Sequence, residues 1–183
     1  ARCGVARTFQ NIRLFKDMSV LENVMTGLHV RHASSLFATL LGLPRFWRAE
    51  RSIARRAIEL VDMLGLEFPG VRAGDLAYGQ QRRVEIARAV ASEPEILLLD
   101  EPVAGMNEKE SDELSALIAR INSELGIAVV VVEHDIRFVM DLCDRIQVLN
   151  RGETLTEGSV ETVRNDPAVI KAYLGIRRNR AHA

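Results

Sequence analysis

Leu76-Ala77-Tyr78-Gly79-Gln80-Gln81-Arg82-Arg83-Val84-Glu85-Ile86-Ala87-Arg88-Ala89-Val90-Ala91, then Ile96-Leu97-Leu98-Leu99-Asp100-Glu101-Pro102, decides how the whole chain is read. The first half is a short glycine-containing turn that runs into a polar, arginine-rich helix. The second is an apolar run that stops at two carboxylates. Such a run suits a parallel strand buried on both faces. Carboxylates at the C-terminal end of that strand lie where open α/β sheets bind their ligands. One of them can hold Mg²⁺ against phosphate oxygens, and the other can deprotonate a water. The turn before the helix offers backbone N–H groups and a positive dipole end to an anion.

In these residues the chain resembles the nucleotide-binding subunit of an ABC transporter. Residues 76–80 resemble its signature loop and Ile96 to Glu101 its Walker B strand. The usual signature has Ser and Gly where this chain has Ala77-Tyr78-Gly79, and the Ala-Tyr variant resembles the subgroup serving branched-chain amino acid importers. The resemblance implies an α/β fold of the P-loop NTPase, ABC-ATPase-like kind. A mostly parallel sheet is flanked by helices and joined by a helical subdomain. By that likeness 11–92 is the helical subdomain with the signature loop. Residues 93–158 carry the Walker B, D-loop and switch-histidine core, and 159–183 form C-terminal helices and a tail.

Composition agrees with one globular domain: 48% hydrophobic and 27% charged residues over 183 positions. A net charge of -1 gives no electrostatic reason to expect nucleic acid. Cys3 and Cys143 have no metal-ligand spacing and fit a reducing compartment. No apolar run is long enough to cross a bilayer, so a membrane role is expected through a partner. The chain opens on Ala1 in mid-pattern, and the expectation is a fragment or a processed or cropped chain.

Upstream, Val5 to Gln10 reads as a short strand with a polar end. The resemblance makes Gln10 the start of a Q-loop whose amide reaches Mg²⁺ or the water near the γ-phosphate. Ser19 and Glu22 form a capping box, so a helix is predicted from Val20. Ser34 to Trp47 carries two Phe and the only Trp. Gly42 and Pro44 are expected to break any helix there. Packing within the domain, a contact with a membrane subunit and an interfacial membrane contact are the three readings of that segment. Glu50 to Leu64 has a helical apolar period closed by Gly65, with Arg55, Arg56 and Glu59 on a paired, exposed face. Arg82, Arg83 and Arg88 could be phosphate ligands, but the stronger expectation is solvated helix charges.

Downstream, the resemblance assigns roles residue by residue. Asp100 binds Mg²⁺ and Glu101 is the catalytic base. Ala77, Tyr78, Gly79 and Gln80 meet the γ-phosphate of ATP held by a second copy, the missing serine hydroxyl leaving the backbone contact. Asn107 stands where the D-loop normally ends in Asp and is expected to hydrogen-bond across the dimer. Ile127 to Val132 is a second apolar strand ending in Glu133-His134-Asp135, which makes His134 the switch histidine. Helices are predicted over 108–125, with Leu114, Leu117, Ile118 and Ile121 inward, and over 136–143. A hairpin around Asn150-Arg151-Gly152 and a last helix from Asp166-Pro167 follow.

The pattern Gly-x-x-x-x-Gly-Lys-Ser/Thr is not in the sequence. In the resembled family it precedes the glutamine-bearing strand. The chain as given is therefore expected to lack the N-terminal strands and P-loop, to expose a sheet edge and to bind ATP weakly by itself. The function implied is an ATP-binding, ATP-hydrolysing subunit that energises uptake of branched-chain or related amino acids. Its expected cofactors are ATP and Mg²⁺. Its expected partners are a second ATPase subunit, transmembrane permease subunits and, indirectly, a substrate-binding protein. Its place would be the cytoplasmic face of the cell membrane, peripheral through the permease. The alternative is a non-catalytic interaction module with the same fold.

Overall fold

The computed structural model describes residues 4–32 and 44–174. Positions 34–43 of the aromatic segment, Cys3 and the basic tail lie outside the described residues, as do the side chains at 173 and 174. The chain divides into two compact units, Ala1–His134 and Asp135–Ala183.

The first unit is built on three parallel strands in the order β1 (Val5–Arg7), β2 (Ile96–Asp100) and β3 (Ala128–Val132). Val5 pairs with Ile96, and Asp100 with Val132. Because the strands are parallel, residues 8–10, 100–101 and 133–134 all emerge at one end of the sheet. Leu97 and Leu99 are fully buried on one face, and in α4 (Glu108–Leu125) Leu114, Leu117, Ile118 and Ile121 are buried as predicted. The other face departs from expectation. Ile96 is partly exposed, and Val130 and Val132 are 51% and 61% exposed. Both strands read as buried on two faces, yet among the described residues nothing covers the second. An apolar run reports what a strand can tolerate, not what lies over it.

Helix α1 (Val20–His32) starts at the predicted capping box. Ser19 Oγ accepts from the Glu22 N–H at 3.2 Å, and the Ser19 N–H donates to Glu22 Oε2 at 2.8 Å. The backbone and hydroxyl donors of Ser19 hold the Glu22 carboxyl below its ordinary range. Buried Asn23 then organises the loop before it. Its Oδ1 accepts from the Phe15 N–H and its Nδ2 donates to the Phe15 and Ser19 carbonyls, all at 3.0 Å. Helix α2 (Pro44–Met63) begins six residues earlier than predicted. Pro44 opens it instead of breaking it, since the first turn needs no proline N–H. Phe46 and Trp47 stack edge-to-face in that first turn, with Trp47 exposed. Arg56 pairs with Glu93 at 2.8 Å, not with Glu59 as expected. Helix α3 (Tyr78–Ala91) crosses α1 closely at Gly27, where a Cβ would stand 2.2 Å from the Arg88 carbonyl oxygen.

His29 ties α1 to α2. Its Nε2 lies 3.0 Å from Glu50 Oε1 and its Nδ1 2.8 Å from the Met25 carbonyl oxygen. Partial burial pulls the imidazole pKa down, but the bonds to Glu50 and Met25 outweigh burial and leave it raised. A raised folded value stabilises the protonated form. The contribution is complete below the unfolded value of about 6.5 and is lost as pH rises through the folded value. Both side chains are partly exposed, so the expected gain is at most about 1 kcal/mol. Denaturant titrations on either side of neutral pH should show it, and His29→Gln should remove the difference.

In the second unit, α5 (Ile136–Leu142) is capped by Asp135, whose carboxylate accepts from the Phe138 N–H at 3.1 Å. The predicted hairpin is present as β4 (Ile146–Asn150) and β5 (Glu153–Gly158). Arg151 (φ 51°) and Gly152 (φ 86°) both take the left-handed conformation that a tight two-residue turn requires. Helix α6 (Val160–Asn165) starts at Ser159, and Asp166 caps the short Pro167–Val169 turn that runs into Ile170–Leu174. Val139, Met140 and Leu155 pack around Ile146, Val163 and Val169. Ile170 is exposed.

Candidate functional site

The C-terminal ends of the three strands bring Gln10, Asp100, Glu101 and His134 to one place. Glu101 leaves β2 with φ 44°, a left-handed conformation that costs a side-chain-bearing residue about 1–2 kcal/mol. Its N–H donates to the Val132 carbonyl at 2.8 Å, so the last rung of the β2–β3 ladder holds the strained residue in place. The turn sends its carboxylate back between β1 and β3. Gln10 Nε2 donates to Glu101 Oε2 at 2.7 Å, and His134 Nδ1 lies 3.9 Å from Glu101 Oε1.

Glu133, just before His134, was not singled out from the sequence. Its carboxylate is 1% exposed. Oε1 accepts from the Val103 N–H at 3.1 Å and Oε2 from the His134 N–H at 2.9 Å. It thus ties the loop after β2 to the end of β3. His134 itself is 75% exposed, with Nδ1 on the carboxylate side, 3.6 Å from Glu133 Oε2. A buried acid in the unbroken run Val132-Glu133-His134 was the available signal, since Glu is seldom buried without partners.

Asp100 points toward β1, where Arg7 Nη2 donates to its Oδ2 at 2.8 Å. Magnesium takes one or two protein oxygens and completes its octahedron with water and phosphate. The hard oxygens here, on Asp100 and the Gln10 amide, fit that demand. Among the described residues no group of three or more His, Cys, Asp or Glu forms a cage, which such a site does not need.

The signature turn lies at the start of α3. Ala77 is the N-cap in extended conformation, and its N–H donates to Gln80 Oε1 at 3.3 Å. The N–H groups of the first turn have no acceptor inside the helix. Tyr78 is half-exposed. Gly79 is buried beneath the carboxylate of Glu110, whose Oε1 would stand 3.1 Å from a Cβ added there. The cover is a polar side chain and not the apolar core. Asn107, expected to reach across a dimer, caps α4 in its own chain: its side chain accepts from the Glu110 N–H at 3.0 Å, and Glu110 returns a bond to the Asn107 N–H.

Of the arginines of α3, Arg82 is enclosed, contrary to expectation, whereas Arg83 and Arg88 are partly exposed. Arg82 is 0% exposed and bonds Glu85, the Phe9 and Gln10 carbonyls and the Tyr78 hydroxyl. Arg83 Nη2 donates to the Gly65 carbonyl at 3.0 Å, and Arg88 Nη2 to that of Arg13. Burial lowers the Arg88 pKa, with the Glu85 charge opposing it. None of the three is set out as a phosphate ligand. Arg82 lies in the stripe Gly79, Arg82, Ile86, Val90, all buried, and a charge inside an otherwise apolar stripe was the signal to read.

Residues 1–104 match the ABC transporter family, and 153–178 match the branched-chain amino acid ATP-binding cassette transporter family. Over 176 residues the chain is 48% identical to the high-affinity branched-chain amino acid transport ATP-binding protein BraF of Pseudomonas aeruginosa. It is 47% identical to LivG of Escherichia coli, of the same description. In both cases 96% of this chain and 69% of the relative are covered. Among solved structures, an ABC transporter ATP-binding cassette in its ADP conformation superposes with TM-score 0.75 at 28% identity, covering 95% of this chain and 69% of that one. A dimeric cassette in a post-hydrolysis state with ADP and Pi gives 0.66 at 31% identity, covering 85% and 62%. A parallel sheet with this strand-end cluster, a signature helix and these likenesses lead to one conclusion: the chain belongs to the ABC transporter family of ATP-binding cassettes.

Proposed function

We propose that this chain carries the signature, Walker B and switch elements of an ATP-hydrolysing subunit that energises uptake of branched-chain or related amino acids. The observation that carries the catalytic part is the convergence of Gln10 and His134 on the Glu101 carboxylate at the sheet end. The likeness to BraF and LivG supports the cargo class. A second ATPase subunit and transmembrane permease subunits are the partners proposed. The likeness to importer subunits supports a place at the cytoplasmic face of the membrane, held there by the permease. No helix among the described residues is long and apolar enough to cross a membrane.

In this reading Glu101 takes a proton from the attacking water as the water oxygen bonds to the γ-phosphorus and the bond from that phosphorus to the β–γ bridging oxygen breaks, with ADP as the leaving group. Gln10 fixes the rotamer of that carboxylate by its hydrogen bond. His134, with Nδ1 turned to Glu133 and Glu101, presents Nε2 to a γ-phosphate oxygen. Mg²⁺, held through Asp100 and the Gln10 amide oxygen, would neutralise phosphate charge. Tyr78, Gly79 and Gln80 offer first-turn N–H groups to the phosphate bound by the second subunit, Ala77 caps that turn with its own N–H held by Gln80, and Asn107 lies beside them through Glu110.

The test is ATPase turnover and amino-acid uptake by the full-length cassette assembled with its permease. Leucine uptake that depends on ATP hydrolysis supports the proposal, and normal assembly without hydrolysis favours the non-catalytic module. His134→Ala should lower kcat about a hundredfold, the scale of one lost oxyanion donor, with little change in ATP affinity. A kcat within a few-fold of the parent would remove His134 from the mechanism.

A further inference from the structure

The charges on one face of α3 grip the segment Phe9–Arg13 entirely through its backbone. Arg82 Nη1 donates to the Phe9 carbonyl at 2.6 Å and to Glu85 Oε2 at 2.8 Å. Arg82 Nη2 donates to the Gln10 carbonyl and, at 3.2 Å, to the Tyr78 hydroxyl. Glu85 Oε1 accepts from the Arg13 N–H at 2.9 Å, and Arg88 closes the grip on the Arg13 carbonyl. Residues 82, 85 and 88 are three apart and share a helix face. Because only main-chain groups are held, the side chain of Gln10 stays free to reach Glu101.

One guanidinium therefore stands between two functional elements. On one side is the phenol of Tyr78, half-exposed in the turn that opens α3. On the other is the main chain of Gln10, whose amide bonds Glu101 2.7 Å away. A guanidinium is a rigid planar fork, so its two nitrogens move together. Arg82 is fully enclosed, and its Nε finds no acceptor among the described residues. A displaced Tyr78 hydroxyl must tilt the fork, and the tilt must carry the Gln10 carbonyl with it.

We propose that Arg82 is a positioning residue that couples the Tyr78 turn to the Gln10–Glu101 hydrogen bond. A ligand seated against Tyr78 and Gly79 then resets the carboxylate at the strand end by way of Arg82. The geometric coupling stands by itself, and its catalytic consequence rests on the function proposed above. Spatial continuity alone does not establish coupling, so the test is a double-mutant cycle.

The probe is the side-chain amide of Gln10 in the 183-residue chain labelled with ¹⁵N-glutamine, with Gln147 of the hairpin as internal control. Tyr78→Phe removes only the hydroxyl. It should shift the Gln10 amide resonance and speed its hydrogen exchange about fivefold to tenfold, the scale of one weakened hydrogen bond. The Gln147 signal should not move. In an Arg82→Met/Glu85→Leu background the same Tyr78→Phe change should leave the Gln10 signal where the background put it. Arg82→Lys keeps the buried charge without the fork and should uncouple the two sites in the same way, which covers the case in which the double variant does not fold. An unmoved Gln10 signal in Tyr78→Phe overturns the proposal. So does an equal response with and without the Arg82 fork. No nucleotide enters the experiment, so its outcome is separate from whether the chain hydrolyses ATP.

Discussion

Glu101→Gln in the full-length cassette is expected to abolish ATP turnover while nucleotide binding and ATP-dependent dimerisation persist. The change removes the proton acceptor and little else. The left-handed backbone at Glu101 and its bond to the Val132 carbonyl do not depend on the side chain. Gln is nearly isosteric, and its amide oxygen can still accept from Gln10 Nε2. A positioned general base contributes about 10²–10⁴-fold, so kcat should fall by at least a hundredfold. Binding energy comes from groups that do not titrate, so the ATP dissociation constant should stay within about threefold, an effect below 1 kcal/mol. Phosphate release under saturating ATP reads the first quantity, and equilibrium binding of radiolabelled ATP the second. Size-exclusion with light scattering reads dimerisation. Turnover within a few-fold of the parent would show that another group accepts the proton. Loss of binding in step with turnover would show that Glu101 holds the nucleotide instead.

Much of this site is legible in the sequence because parallel strands place their C-terminal ends together. Two apolar runs that stop at Asp100-Glu101 and at Glu133-His134 must, if adjacent and parallel, bring those residues to one edge. The structure places β2 and β3 side by side in that register. The capping box at Ser19 and the inward face of α4 were legible for the same kind of reason, since both are local patterns. What covers a strand is not local. The exposed face of Val130 and Val132 could not be read from a run of valines. Partner choice over distance is likewise hidden: nothing in the text of α2 points Arg56 to Glu93 and away from Glu59. Arg82 of α3 was misread because charge was taken as a sign of solvent, and Arg83 and Arg88 are only partly exposed. Most of their partners are main-chain oxygens, those of residues 9, 10, 13 and 65, and backbone groups leave no trace in a sequence.

Arg82→Met alone should destabilise the first unit by about 3–5 kcal/mol, whereas Arg82→Met combined with Glu85→Leu should cost far less. The single change leaves the Glu85 carboxylate buried with its cation gone, and it deprives the Phe9 and Gln10 carbonyls of donors. A buried carboxylate that loses its hydrogen-bonded cation is among the costliest single defects, and the more distant charge of Arg88 returns only part of the lost attraction. The double change removes both charges, and apolar side chains of similar volume can fill a site in which Arg82 and Glu85 are already enclosed. A buried ion pair exchanged for such residues is often neutral within a few kcal/mol. The residual cost is then the unbonded carbonyls of residues 9 and 10 and the Arg13 N–H that Glu85 accepts. Urea unfolding of the chain and its two variants measures this directly, with an unchanged m-value required for the comparison. A double variant as unstable as the single would mean that the hydrogen bonds to the backbone, and not charge compensation, hold the clamp. It would also make the fork of Arg82 the element that keeps Gln10 beside Glu101.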